Sequence, residues 1–128
     1  VAPRTRFRSF GIDVEPNKPL DIDLIDIICT RAELDWLSKQ KPGDITTLAK
    51  LIFSAKEAAF KCQYSHSGAM LDFHDLDLCF DLVTHQFTAR FRTNAAPFKV
   101  KDVLHGRFAI EADYIITTVA LPQRESLV

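Results

Sequence analysis

The first strong pattern in the chain is an alternation of apolar and polar positions that ends at Pro16. Between residues 6 and 15, alternate side chains of an extended strand would project to opposite sides. The two sets are Phe10, Ile12 and Val14 on one face, and Gly11, Asp13 and Glu15 on the other. The alternation predicts a strand, and the polar, proline-containing residues 17–19 after it are typical of a turn.

Two short helices are predicted next. Residues 21–29 carry apolar side chains at mostly helical spacing, and Asp21 and Asp23 fall in the first turn, where the helix dipole favours negative charge. Thr30 is followed three residues later by Glu33, which is the spacing of a capping box. This pair predicts a second short helix that starts at Thr30 and reaches about Gln40.

A long helix is predicted from Ile45 to about Tyr64, after a break at residues 42–44. At about 100° per residue, one face collects six apolar residues: Leu48, Leu51, Ile52, Ala55, Ala59 and Cys62. The opposite side combines polar and aromatic residues: Lys50, Ser54, Glu57 and Lys61, flanked by Phe53, Phe60 and Tyr64. We therefore expect this helix to be covered on two sides, with Glu57 in a partly dry environment.

The hydrophobic period then changes to two, which predicts antiparallel strands. Apolar and polar residues alternate over 76–82 and again over 87–92, on either side of a turn at 84–86. Residues 107–111 and 114–121 predict a second hairpin. The sequence therefore predicts an α+β fold, in which an antiparallel sheet packs on one long helix and shorter helices lie beside it.

Length and composition narrow this picture to one ordinary domain. The 128 residues are 47% hydrophobic and 26% charged, which suits a single folded domain of residues 1–128 rather than a disordered chain. A net charge of -1 and the lack of an apolar run of about 18 residues argue against nucleic-acid and membrane partners. Three widely spaced cysteines without a CxxC pair predict free thiols in a reducing cytoplasm.

Two short stretches contain candidate chemistry. Asp13 and Glu15 stand at i and i+2 on the strand, so their carboxylates could bind a hard cation; an exposed acidic strand face explains the same spacing. Gly11 beside them would let a ligand approach the backbone. Glu57 and Lys61 stand at i and i+4 on the long helix. Their spacing suits an ordinary surface ion pair. Because aromatic side chains surround the two charges, it also suits binding of a phosphate and a metal ion from a ligand.

Taken together, the two stretches resemble a known family. Gly11-Ile-Asp-Val-Glu15 and, about forty residues later, Phe53-Ser-Ala-Lys-Glu-Ala-Ala-Phe-Lys61 are similar to the motifs of the 4′-phosphopantetheinyl transferase superfamily. The resemblance is strongest to its larger, enterobactin-synthetase-component class, which modifies carrier proteins of siderophore, polyketide and nonribosomal-peptide biosynthesis. It implies a magnesium-dependent transferase that moves 4′-phosphopantetheine from coenzyme A to a serine of an acyl or peptidyl carrier protein, releasing 3′,5′-ADP.

The resemblance also implies roles for individual residues. Three of them match the family's magnesium ligands: Asp13, Glu15 and Glu57. Lys61 matches the lysine that holds the pyrophosphate, and Lys56 matches a further phosphate contact. Glu33 matches an acidic position near the metal, so Glu33 or Glu57 would take the serine proton. The capping box gives Glu33 a purely structural alternative.

The larger class is built from two similar halves with the active site between them, and this chain resembles the second half. The resemblance therefore implies a longer parent chain and an isolated unit that is folded but catalytically poor. It also implies a possible homodimer through the surface that would face the first half, where Phe53, Phe60 and Tyr64 surround Glu57. Two alternatives stay open: a non-catalytic α+β interaction domain, and a stand-alone trimeric holo-acyl-carrier-protein synthase.

Overall fold

The structure is a computed structural model that describes residues 7–122 of the chain. Arg6, where the predicted first strand begins, and both ends of the predicted 1–128 domain lie outside the described residues. The helices and strands, in chain order, are β1 (Phe7–Pro16), α1 (Ile22–Ile28), α2 (Arg31–Ser38), α3 (Ile45–Ser67), β2 (Leu76–Asp81), β3 (Gln86–Phe91), β4 (Val103–Ile110) and β5 (Tyr114–Pro122). Short 3₁₀ turns precede α3, at Pro42–Asp44, and β2, at Phe73–Asp75.

Local sequence signals set the ends of the helices. The Thr30 hydroxyl accepts a hydrogen bond from the Glu33 amide, and the Glu33 carboxylate accepts one from the Thr30 amide, so the predicted capping box is confirmed. The Asp21 side chain caps the start of α1. α3 continues slightly beyond the predicted end and stops at Gly68, whose φ of 64° is the left-handed conformation that glycine adopts without strain.

All five strands form one antiparallel sheet in the order β1-β5-β4-β3-β2. The two predicted hairpins are β2–β3 and β4–β5. β1 pairs with β5, so that Asp13 lies opposite Thr117 and Glu15 lies opposite Ile115. α3 packs across β1 and β5 on one face of the sheet. The fold is therefore the predicted α+β arrangement of an antiparallel sheet on one long helix.

β1 and α3 approach each other closely at Gly11. A Cβ atom built on Gly11 would lie 1.8 Å from the carbonyl oxygen of Ala58 and 2.8 Å from the amide nitrogen of Cys62. Glycine at this position therefore makes room for the helix backbone, which corrects the expectation that it makes room for a ligand. This contact fixes how near the carboxylates of β1 come to the side chains of α3.

β1 turns its polar face towards α3. Asp13 is 7% exposed, which removes the alternative of an exposed acidic strand face at this residue. On the other face, Phe10, Ile12 and Val14 are each about half exposed. The hydrophobic effect alone would favour the reverse, because burial of apolar surface contributes about 25 cal/mol per Å². The orientation of β1 is therefore set by its contacts with α3 and leaves an apolar outer face.

The predicted apolar face of α3 forms the centre of the core. Its six residues are all buried: Leu48, Leu51, Ile52, Ala55, Ala59 and Cys62. Ser54, predicted on the opposite face, is fully buried too, because its hydroxyl pairs with that of Thr117 on β5 at 2.9 Å. α3 is thus covered on two sides, as expected. Cys29, Cys62 and Cys79 form no disulfide within residues 7–122, and no helix in this range is long and apolar enough to cross a bilayer.

Candidate active site

The candidate site lies where β1 runs alongside α3, and it combines side chains from both elements. The Asp13 carboxylate lies close enough to Glu15 and to Glu57 to raise the pKa of each. Lys61 Nζ lies 3.2 Å from Asp13 Oδ1 and donates a 2.8 Å hydrogen bond to the carbonyl of Ile12. Within the described residues, Lys61 thus forms its ion pair with Asp13 of β1 and not with Glu57, and its side chain stays half exposed.

Burial and crowded negative charge make these carboxylates hard to ionise together. Burial, followed by the neighbouring Asp13, raises the pKa of Glu15 to about 7, while Lys50 opposes this shift. Burial and Asp13 also raise the pKa of Glu57, and Lys61 opposes that shift. The raised pKa agrees with the expected partly dry environment of Glu57, and a nearby cation would lower both pKa values again.

One carboxylate oxygen of Asp13 has no partner. Its Oδ1 faces Lys61, but when Glu15 is ionised no group in residues 7–122 donates a hydrogen bond to the buried Oδ2. A buried anionic acceptor without a partner is costly, and carboxylate oxygens are the preferred ligands of Mg²⁺, so this donor set fits a divalent cation. The described residues hold no group of three acidic, His or Cys side chains already placed around one ion. The expected convergence of three carboxylates on a single cation is therefore not seen.

Glu33 lies in the interior with both carboxylate oxygens engaged. Oε1 accepts hydrogen bonds from the Thr30 amide at 2.8 Å and from Lys56 Nζ at 2.7 Å. Oε2 accepts one from the amide of Leu78 at 2.7 Å. Glu33 is 1% exposed and joins α2 to α3 and β2. This position agrees with the structural alternative for Glu33, because a proton from a substrate could reach it only if one of these bonds broke.

Lys56 is also in the interior, although part of it lines the cavity beside Glu57. Its side chain is 2% exposed, and its Nζ donates to the carbonyls of Ile28 and Phe73, at 2.7 Å each, as well as to Glu33. An ammonium group has three N–H donors, and these three acceptors occupy all of them. Burial lowers the pKa of Lys56, and Glu33 opposes the shift. A direct phosphate contact by Lys56 stays a prediction, and it would require one of these three bonds to break.

A cavity of about 560 Å³ opens beside Glu57. It lies between α1, α3 and residues 70–76, and its apolar lining includes Ile27, Phe60, Leu71 and Phe73. Sequence reasoning missed the contribution of residues 70–76, because this segment has no regular hydrophobic period. Its signal in the sequence is several large apolar residues in the short stretch that follows Gly68 and includes the 3₁₀ turn Phe73–Asp75.

A larger groove, of about 680 Å³, lies away from these residues. It runs over β2 to β5, and its lining includes His105, Arg107 and Thr118 but none of the candidate site residues. Thr118 pairs across the strands with Ile12, which is on the outer face of β1. Of these two spaces, the smaller cavity is lined by Lys56 and Glu57, whereas Asp13, Glu15 and Lys61 line neither.

The aromatic side chains of α3 are less open than expected. Phe53 packs on Phe73 with ring centroids 5.9 Å apart, and Phe60 stacks on Tyr64 at 5.5 Å. Only Tyr64 of the three aromatic residues on α3 is exposed. The surface expected to meet a second unit is therefore partly covered by the chain itself.

Comparison with known sequences identifies the family. The sequence profile of the 4′-phosphopantetheinyl transferase superfamily matches residues 9–119, which include both motif regions. The chain belongs to this superfamily. It is 32% identical over 126 residues to the 4′-phosphopantetheinyl transferase Svp of Streptomyces mobaraensis, and the match covers 94% of this chain and 50% of Svp. The chain spans about half the length of the curated relatives it matches.

Solved structures support the fold. The holo-[acyl-carrier-protein] synthase of Thermotoga maritima superposes with a TM-score of 0.70 at 18% identity, over 92% of this chain and 65% of that one. The holo-ACP-synthase of Plasmodium yoelii superposes with a TM-score of 0.67 at 16% identity, over 93% of this chain and 97% of that one. At these identities the likeness concerns the fold alone.

Proposed function

We propose that this chain is the second half of a larger-class phosphopantetheinyl transferase, which transfers 4′-phosphopantetheine from coenzyme A to a serine of an acyl or peptidyl carrier protein. The observation that carries the proposal is the buried, unpaired oxygen of Asp13 among carboxylates of raised pKa. This group suits a divalent cation, and the half-exposed Lys61 beside it suits a phosphate. Membership of the superfamily supports the reaction class.

In the proposed reaction, the serine Oγ attacks the β-phosphorus of coenzyme A. The bond from that phosphorus to the bridging oxygen breaks, and 3′,5′-ADP leaves with the electron pair. Asp13, Glu15 and Glu57 would hold Mg²⁺, which when bound supplies positive charge beside the pyrophosphate. Lys61 would donate hydrogen bonds to the leaving pyrophosphate, whose charge grows in the transition state.

The serine proton needs a carboxylate that a substrate can reach. Glu57 is partly buried, has a raised pKa and borders the cavity, so we propose that it takes the proton directly or through a water. Glu33 is the weaker candidate, because its oxygens are occupied by Thr30, Lys56 and Leu78.

The cavity beside Glu57 suits the pantetheine arm of the donor. This arm is a flexible, uncharged chain of methylene and amide groups, and the cavity wall formed by Phe60, Leu71 and Phe73 is mainly apolar. An arm bound there would place its phosphate near Glu57 and leave the nucleotide outside this chain, where a second unit could bind it.

The outer face of β1 is an apolar surface against which a second unit of the same fold could pack. Phe10, Ile12 and Val14 are 48%, 54% and 52% exposed, and Ile116 lies beside Val14 on β5. Exposed apolar surface of this extent commonly marks an interface. We propose that a second copy of the isolated chain covers this face in a homodimer. Ile12→Lys should then reduce dimerisation of the isolated chain, as measured by light scattering.

The activity is tested with the complete polypeptide that carries this chain. It is incubated with an apo carrier protein and fluorescent coenzyme A, with and without Mg²⁺, and labelling of the carrier is followed on a gel. We expect labelling that requires Mg²⁺ and falls by about 10²-fold or more in Glu57→Gln. Glu111→Gln, which changes an exposed carboxylate outside the candidate site, serves as the matched control. Full labelling by the Glu57→Gln protein would exclude the proposed role of Glu57.

A further inference from the structure

The buried Lys56 ties together three segments that are separate in the sequence. Its Nζ donates to the carbonyl of Ile28 at the end of α1, to the carbonyl of Phe73 in the 3₁₀ turn, and to the carboxylate of Glu33 in α2. All three distances are 2.7 Å. No single substitution elsewhere in this network would remove all three contacts, because each acceptor belongs to a different segment.

One of these acceptors lies in a wall of the cavity beside Glu57, and another adjoins a different wall. Ile28 directly follows Ile27, which lines the α1 wall, and Phe73 itself lines the wall formed by residues 70–76. The third wall is α3, which carries both Lys56 and Glu57. The ammonium group therefore holds the α1 wall and the 70–76 wall against α3 at a fixed separation.

The 70–76 wall has a further anchor on the sheet. Arg92 donates a 3.0 Å hydrogen bond to the carbonyl of His74, and its amide donates to the carbonyl of Asp75. The ring of Phe53 on α3 also packs on Phe73, and His74 bonds to the carbonyl of Asp26, so Lys56 adds a hydrogen bond that fixes the segment to α3. Removal of the Lys56 contacts would therefore let the wall move relative to Glu57 while its link to the sheet remained.

We propose that Lys56 is a positioning residue that sets the width of the donor cavity and the placement of Glu57, and that it does not contact phosphate. The inference rests on the proposed function, in which the cavity takes the pantetheine arm. A preorganised cavity binds more tightly than one that must be ordered on binding. Loss of Lys56 should therefore weaken binding of the arm and spare binding of the nucleotide.

Coenzyme A and 3′,5′-ADP separate these effects, because 3′,5′-ADP has phosphates but no pantetheine arm. The Lys56→Met variant of the complete polypeptide is titrated with each by calorimetry, and amide hydrogen exchange is measured on the free protein. We expect coenzyme A affinity to fall about tenfold and 3′,5′-ADP affinity to stay within about twofold. Exchange should become faster in residues 70–76 and at the end of α1, and stay unchanged in the sheet.

Lys56→Met leaves the Glu33 carboxylate buried without its partner, which can unfold a protein. The double variant Lys56→Met/Glu33→Gln removes both charges and gives the same comparison if the single variant does not fold. Lys39→Met is the matched control, because Lys39 forms an exposed ion pair with Asp35 at 3.1 Å.

Equal loss of both ligands with unchanged exchange would identify Lys56 as a phosphate contact and overturn the inference. If the melting temperature falls while both affinities and the local exchange stay unchanged, Lys56 contributes only to overall stability. That result would also overturn the inference. If the unmodified protein binds neither ligand, the proposed function fails. In that case the exchange data alone decide whether Lys56 holds the two walls.

Discussion

Replacement of Gly11 by alanine perturbs the contact that places β1 against α3. The new Cβ atom would lie 1.8 Å from the carbonyl oxygen of Ala58 and 2.8 Å from the amide nitrogen of Cys62. Both neighbours are helix backbone atoms, which cannot rotate away as a side chain can. Because ordinary contact begins at 3.4 Å, the strand and the helix would have to separate by about 1.6 Å.

The separation should cost both stability and activity. Overpacking of a core usually lowers the free energy of unfolding by about 1–3 kcal/mol, and a clash between two backbones belongs at the upper end. For a chain of this size we expect a fall in Tm of roughly 10 °C. The same movement carries Asp13 and Glu15 away from Glu57, and a displacement of about 1 Å in a catalytic group can cost about 10²-fold in rate.

Thermal unfolding and the carrier-labelling assay would measure the two effects on the Gly11→Ala protein. Gly43→Ala is the matched control, because a Cβ atom at Gly43 meets nothing within 4 Å. Labelling should be measured well below the lowered Tm, so that unfolding does not account for the loss. A Gly11→Ala protein with the Tm and labelling rate of the unmodified protein would refute the reasoning that this contact positions the site.

Three further predictions concern the site and its support. The pKa of Glu15 is about 7 in the folded protein, above its ordinary value of 4.5, so the folded state favours the protonated side chain. The resulting stabilisation of the fold is fully present below about pH 4.5 and is lost as the pH rises through 7. Thermal melts in EDTA should therefore show Tm falling over this range, with recovery on addition of Mg²⁺; a Glu15→Gln protein that keeps the full pH dependence would contradict this origin. Lys61→Ala should lower kcat by about 10²-fold or more, and its test is steady-state kinetics with a melt showing an unchanged fold. Thr117→Val should destabilise the protein by about 1–2 kcal/mol in urea unfolding, because it leaves the Ser54 hydroxyl buried without its partner; the double change with Ser54→Ala should cost less than the two single changes added together.

The sequence alone determined the helices and indicated the superfamily. The spacing of apolar residues on α3 is periodic over several turns, and the Thr30–Glu33 capping box is a contact between near neighbours, so both depend only on local order. The pairing of a short acidic strand with the motif that ends at Lys61 was specific enough to indicate the superfamily.

The tertiary structure decided which face of β1 is buried. A two-residue alternation has two equivalent faces, and the larger apolar residues would by themselves favour burial of the face with Ile12. The close approach of α3 reverses this choice, because only the face with Gly11 has no side chain to keep the helix backbone away. Asp13 is buried for the same reason, since it lies two residues further along the strand and therefore on the same face as Gly11.

The tertiary structure also separated the two lysines of the helical motif. Lys56 and Lys61 both flank Glu57, and nothing in their neighbours distinguishes them. In the fold, Lys56 bonds to acceptors from three separate segments and becomes buried, whereas Lys61 bonds to β1 and stays half exposed. The carbonyls of Ile28 and Phe73 are 28 and 17 residues away from Lys56 and come near it only in the folded chain. The local sequence around Lys56 carries no information about these long-range contacts.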